Sequence, residues 1–149
     1  IYSQWQQRWD TAVGGRWTRR LISDLRTWCQ RKHGGLSYRL TQLLSGHGCF
    51  GNFLQRIGKE AAAACWHCDA TEDDAEHTML ACPAWATERA SLVAALGVSH
   101  LEVDAVVTTM LQSADNWRAW EDFASSVMGQ KEDAERERRR RPTAAVEAD

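Results

Sequence analysis

Four residues carry the most chemical information in this chain. Cys65, Cys68, His77 and Cys82 form a C-x2-C-x8-H-x4-C array. Two cysteines separated by two residues can turn a knuckle onto a metal ion, and a His and a Cys some ten residues later can close a tetrahedron from a second element. Three thiolates and an imidazole favour Zn2+ over magnesium or calcium. The competing readings are ordinary buried cysteines or the disulfides of a secreted domain. Against them stand the odd number of cysteines, five, and the lack of a secretory signal ahead of them. His67 lies inside the knuckle as a substitute ligand or, on the plainer reading, a turn residue.

The array needs elements to position it. Thr71 followed by Glu72, Asp73 and Asp74 reads as an N-cap with an acidic first turn, which predicts a short helix from about Glu72 to Ala81 carrying His77. Pro83 biases Cys82 out of the helical region, so the helix should stop there and return Cys82 toward His77. Upstream, Trp5 and Trp9 sit at helical spacing until Gly14-Gly15. Trp17, Leu21, Leu25, Trp28 and Cys29 then mark one amphipathic helix over residues 16–32. Leu36 to Leu44 reads as a helix, Ser45 to Gly48 as a turn, and Phe50, Phe53, Leu54 and Ile57 as a short apolar stripe. Downstream, Trp85 to Leu96 is a helix stopped by Gly97. Val103, Val106, Val107, Met110 and Leu111 mark another, and Asp115 caps a last one with Trp117, Trp120, Phe123, Ala124 and Val127 on its stripe. No run alternates as strands do. The fold class is therefore mostly α, a small helical domain with an embedded CCHC zinc knuckle. It divides into a basic helical segment (1–60), a knuckle segment (61–97), C-terminal helices (98–129) and a charged tail (130–149), a solvated helix extension expected to fray into disorder.

Other motifs weigh less. Gly46, Gly48 and Gly51 spell G-x-G-x-x-G, but a dinucleotide site needs a strand before it and a βαβ unit around it, and neither is predicted. His47 and Cys49 lack a third group nearby and read as turn and core residues. The acidic cluster of Glu72, Asp73, Asp74 and Glu76 could be a magnesium site, but a helix N-terminus attracts acids for its own electrostatic reasons. The run Arg138 to Arg141, mixed with acids, reads as solvated. Trp17, Trp28, Trp117 and Trp120 lie on stripes and should be core, while Trp5, Trp9 or Trp66 could stack on an unpaired base.

The net charge of −2 over 149 residues conceals a segregation. Residues 1–60 carry ten Lys or Arg against three acids, residues 61–129 two against eleven, and residues 130–149 six of each. A basic half points to polyanions, with Arg16, Arg19, Arg20, Arg26, Arg31, Lys32, Arg39, Arg56 and Lys59 as candidate contacts to RNA or DNA phosphates. The plainer alternative is a surface whose charges happen to segregate. No apolar run is long enough to span a bilayer, so no membrane partner is expected. The first residue is Ile1 and not Met, which leads us to expect a piece of a longer chain.

Taken together, the residues resemble a known family. Leu40-Thr41-Gln42-Leu43-Leu44-Ser45-Gly46-His47-Gly48-Cys49-Phe50, the stretch Phe53 to Gly58, Cys65-x2-Cys68, Ala75-Glu76-His77-Thr78 and Cys82-Pro83-Ala84-Trp85 are similar to the C-terminal segment of non-LTR retrotransposon Pol polyproteins, in particular the type-1 ribosomal-DNA elements of arthropods. The resemblance implies a segment that follows a reverse transcriptase and carries a CCHC zinc knuckle on Cys65, Cys68, His77 and Cys82. It also implies a parent acting in the nucleus as an RNA-directed DNA polymerase, with a nicking endonuclease elsewhere in the polyprotein. The paired aspartates of such polymerases have no counterpart here, nor has the Pro-Asp, distant acid and Lys set of the restriction-like nuclease. This segment alone is therefore expected to be non-catalytic. It would bind nucleic acid and position RNA template or DNA target for target-primed reverse transcription; the alternative is a zinc-stabilised module that docks on the upstream polymerase domain.

Overall fold

The computed structural model describes residues 1–141 and contains helices and turns, with no strand among the described residues. Five helices precede the knuckle: α1 (Tyr2–Thr11), α2 (Arg16–Leu21), α3 (Leu25–Cys29), α4 (Tyr38–Ser45) and α5 (Gly51–Arg56). A π-helical turn (His77–Ala81) and a 3-10 turn (Pro83–Trp85) lead into α6 (Ala86–Leu96), followed by a second 3-10 turn (Val103–Ala105), α7 (Val106–Gln112) and α8 (Ala114–Arg140). The long α8 is the spine, and α4, α6 and α7 pack against it.

Several predicted elements move once tertiary contacts are considered. The helix expected over residues 16–32 is broken at Ile22–Asp24, because α1 supplies partners for the backbone freed there. Trp9 donates its indole N–H to the Ile22 carbonyl, Gln6 donates to the Ser23 carbonyl and accepts from the Leu25 N–H, and Asp24 caps α3 through the N–H groups of Arg26 and Thr27. Cys29 consequently ends up exposed. The last helix is capped by Ser113, whose hydroxyl accepts from the Asn116 N–H, and not by Asp115.

The core holds Leu40, Leu43, Phe50, Met79, Val106, Met110, Trp120, Val127 and Met128, each about 1% exposed or less. Trp117 and Trp120 are buried as their stripe predicts, and Trp17 and Trp28 are half-buried against the same core. The α8 stripe does not end at Met128. Lys131 is 1% exposed, and its ammonium donates to Asp73 Oδ2 at 2.8 Å while lying over the Phe50 ring. The helix extension expected there continues through Arg140 but is not merely solvated, being tied to the body by Arg39–Glu132 and Arg138–Glu60 pairs. Residues 142–149 of that expected tail lie outside the described residues. Among the described residues no helix is long and apolar enough to cross a membrane.

The G-x-G-x-x-G string has a structural explanation without any dinucleotide. Gly46 adopts φ +72° as the left-handed residue that ends α4, and Gly51 passes so close to the backbone leading into the knuckle that a Cβ would lie 2.5 Å from the Ala63 carbonyl oxygen.

Candidate metal centre and an adjacent basic cleft

The knuckle is built from backbone hydrogen bonds before any metal is considered. The Cys65 N–H donates to the Ala70 carbonyl at 3.0 Å, folding residues 65–70 into a tight loop. Within it the His67 N–H points at Cys65 Sγ and the Ala70 N–H at Cys68 Sγ, both at 3.4 Å. Such N–H···S contacts stabilise sulfur carrying negative charge, so the loop is arranged to hold thiolates.

The second half of the array arises differently from the sequence expectation. Thr71 is not the cap and residues 72–74 are not helical; Asp74 caps instead, its carboxylate accepting from the His77 N–H at 2.7 Å. The following turn is wide, closing with a Cys82 N–H to His77 carbonyl bond of 2.8 Å that spans five residues. In an α-helix, positions i and i+5 face different ways, whereas a π turn brings them nearly into line. The H-x4-C spacing is therefore the spacing a π turn requires. Cys82 then leaves in an extended conformation (φ −62°, ψ 120°) ahead of Pro83, as expected.

The four ligand atoms lie within 4.8 Å of one another. Cys65 Sγ is 3.9 Å from Cys82 Sγ, and Cys68 Sγ is 3.3 Å from His77 Nε2. Tetrahedral zinc with sulfur at about 2.3 Å and nitrogen at about 2.0 Å sets edges of roughly 3.8 Å and 3.5 Å, so the donor set fits a metal of that size. His67 is not among these ligands; its ring leans on Trp85 at 4.9 Å. Burial pushes the Cys82 thiol up to about 12, and burial raises Cys65 as well, so a cation must displace protons to bind here.

A supporting residue escaped the sequence reading. Arg89, from α6, donates to the carbonyls of Met79 (2.9 Å), Thr78 (3.2 Å) and Cys82 (2.9 Å), satisfying acceptors that the π turn leaves open. Its desolvation lowers its pKa from the ordinary value, offset in part by the Cys82 and Glu88 charges. Only its separation of seven residues from Cys82, about two helical turns, could have hinted at this role. The acidic cluster is also reassigned. Asp73 is 3% exposed and accepts from Lys131, from the Gly51 N–H and from the Thr78 hydroxyl, so it is a buried junction and not a first-turn surface acid.

The nine basic candidates divide. Arg16, Arg20 and Arg56 line one cleft of about 530 Å³ between α2, the α4–α5 turn and the start of the His77 turn. Lys59 lies on a neighbouring groove with Arg136 and Arg139, two cations of α8 outside the predicted set. Arg26, stacked over Tyr2, and Lys32 are exposed but are not brought into these grooves. The remaining three are engaged internally. Arg19 is half-buried and reaches the Asp10 carbonyl, Arg31 is held by the Trp28 and Gly34 carbonyls between two indoles, and Arg39 pairs with Glu132. Of the tryptophans proposed for stacking, Trp5 and Trp66 are exposed, the latter under the Arg138 guanidinium at 4.5 Å, and Trp9 is committed to the Ile22 carbonyl.

Comparisons with known proteins agree with these motifs. No protein-family model matches the chain, and no solved structure matches it. Curated relatives do match. A Pol polyprotein of the type-1 retrotransposable element R1 2 from Nasonia vitripennis is 30% identical over 82 residues, covering 55% of this chain and 20% of the relative. A putative 115 kDa protein of element R1DM from Drosophila melanogaster is 30% identical over 128 residues, 85% of this chain and 12% of the relative. The R1 Pol polyprotein from Bradysia coprophila is 27% identical over 127 residues, 85% of this chain and again 12% of the relative. The chain thus spans from about an eighth to a fifth of the length of these relatives. With Cys65, Cys68, His77 and Cys82 gathered at one point where they could hold a metal ion, it is similar to a segment of the Pol polyproteins of arthropod type-1 retrotransposable elements.

Proposed function

We propose that this chain is the nucleic-acid-binding, zinc-knuckle region at the C-terminus of a retrotransposon reverse transcriptase polyprotein. It positions template RNA or target DNA for target-primed reverse transcription in the nucleus, and it works against the upstream polymerase domain of the same polyprotein. The observation that carries this reading is the packing of a Cys3His cluster beside a cleft rimmed by arginines. Zn2+ bound by Cys65, Cys68, His77 and Cys82 would supply structural cross-linking, holding the 65–70 loop to the His77–Ala81 turn. This chain's own residues do the rest: Asp74 orients His77 through its backbone, Arg89 closes the carbonyls of the turn, and Arg16, Arg26, Lys32, Arg56 and Lys59 offer exposed cations to phosphates.

A second reading is favoured by one observation: Arg31 and Arg39 are spent on internal contacts, which suits a zinc-stabilised module that docks on the polymerase domain without touching nucleic acid. Fluorescence anisotropy of a labelled single-stranded RNA separates the two. Nucleic-acid binding predicts an affinity that falls linearly with salt on logarithmic axes, by roughly 0.7 per phosphate neutralised. No binding at low salt would leave only the docking module.

A further inference from the structure

The cleft beside the knuckle has a composition that goes beyond a general basic surface. Three aromatic rings line it: His47 and Phe53 stack on each other with centroids 4.8 Å apart and planes 15° from parallel, and the Trp17 ring is fixed by an indole bond to the Leu43 carbonyl. Arg56 reaches His47 Nε2 at 3.1 Å and covers the Phe53 ring, while Arg16, at the mouth, pairs with no acid among the described residues. The third cation, Arg20, is held by Glu76 through a two-pronged contact of 2.8 and 3.2 Å. Asp74, also on the wall, has one oxygen turned to the His77 N–H.

Resting on the nucleic-acid reading above, we infer that this cleft is a subsite for one unpaired nucleotide of a single strand, its base stacked on the exposed His47 ring of the His47–Phe53 pair and its phosphate on Arg16 and Arg56, with Glu76 masking Arg20 until a phosphate displaces it. Three features support this. A volume of about 530 Å³ is within the range of small-ligand pockets and is enough for one nucleotide. Aromatic faces among cations are the usual means of gripping single strands irrespective of sequence. The Arg20–Glu76 pair is about half exposed on both sides (51% and 41%), so an incoming phosphate can replace the carboxylate with little loss. Since Glu76 precedes the metal ligand His77, the exchange lies next to the knuckle and ties occupancy of the cleft to the same turn.

The test is anisotropy on the full chain with a single-stranded RNA 12-mer and its duplex, across a salt series. Glu76→Gln should tighten single-strand binding about threefold or more at an unchanged salt slope, because Arg20 meets the same phosphate but no longer has to be released from a carboxylate first. R16A/R56A should weaken it at least about tenfold and remove roughly 1.4 from the slope. Arg118→Ala, an exposed cation on α8 outside the cleft, should change neither, and native mass spectrometry should show the same zinc content in all variants. Wild-type binding that is unmoved by both cleft variants, or weakened by Glu76→Gln at full zinc content, overturns the subsite while leaving nucleic-acid binding standing. A duplex held as tightly as the single strand overturns the single-strand assignment, and no wild-type binding at all overturns both.

Discussion

Cys82 and His77 meet because four residues lie between them and the backbone there widens into a π turn. Arg89 makes that turn affordable by donating to three carbonyls, so its effect should be felt at the metal. Arg89→Ala is expected to weaken zinc affinity by about 10- to 100-fold in a chelator competition, with Arg89→Lys intermediate, since one ammonium cannot reproduce the planar fork. Acidification should act in the same direction. The bound form requires deprotonated ligands, and burial holds the thiols of Cys65 and Cys82 above their ordinary pKa, so protons compete harder as pH falls. Zinc affinity measured between roughly pH 8 and pH 5 should drop steeply and monotonically, and a flat profile would argue against thiolate ligation. Asp73 is the other residue with a sharp expectation. Asp73→Ala leaves the Lys131 ammonium and the Gly51 N–H buried without their acceptor, which should cost about 3–5 kcal/mol in urea unfolding, well beyond the few tenths expected of a surface acid.

At the scale of elements, α8 ties the segments together. Its apolar stripe packs on α4, α6 and α7, and its charged end reaches Asp73, Glu60 and Arg39. Ending the chain after Gly129 should therefore destabilise it by at least about 3 kcal/mol, because Asp73 then loses the cation that neutralises it in the interior. Helix existence was legible from periodicity along most of the chain, as were the gathering of Cys65, Cys68, His77 and Cys82 and the Gly97 stop. What was not legible depended on partners distant in sequence. The break at Ile22–Asp24 is stabilised by Trp9 and Gln6 from α1, a contact that no local pattern encodes. Lys131 looked like one more charge in a charged run because its partner lies 58 residues away. Asp74 and Ser113 displaced Thr71 and Asp115 as caps by a few positions, where several good capping residues compete within one stretch.

For the whole molecule, the charge segregation visible in the sequence survives folding only in part. Arg16, Arg20 and Arg56 converge, whereas Arg31 and Arg39 turn inward. The acids are similarly committed: Asp73 to Lys131, Asp74 to the His77 N–H, Glu76 to Arg20. Carboxylates spent in this way do not gather around magnesium, so the purified chain is expected to show no magnesium-dependent nicking of plasmid DNA and no primer extension. The Cys3His cluster joins core and cleft, since the turn that presents His77 also carries Met79 into the core and Glu76 to the cleft. Native mass spectrometry of the purified chain is the most direct test. One zinc per chain is expected in the wild type and none in Cys68→Ala/His77→Ala, whereas a folded wild-type chain without zinc, or a double variant that retains it, would contradict a zinc knuckle on these four residues.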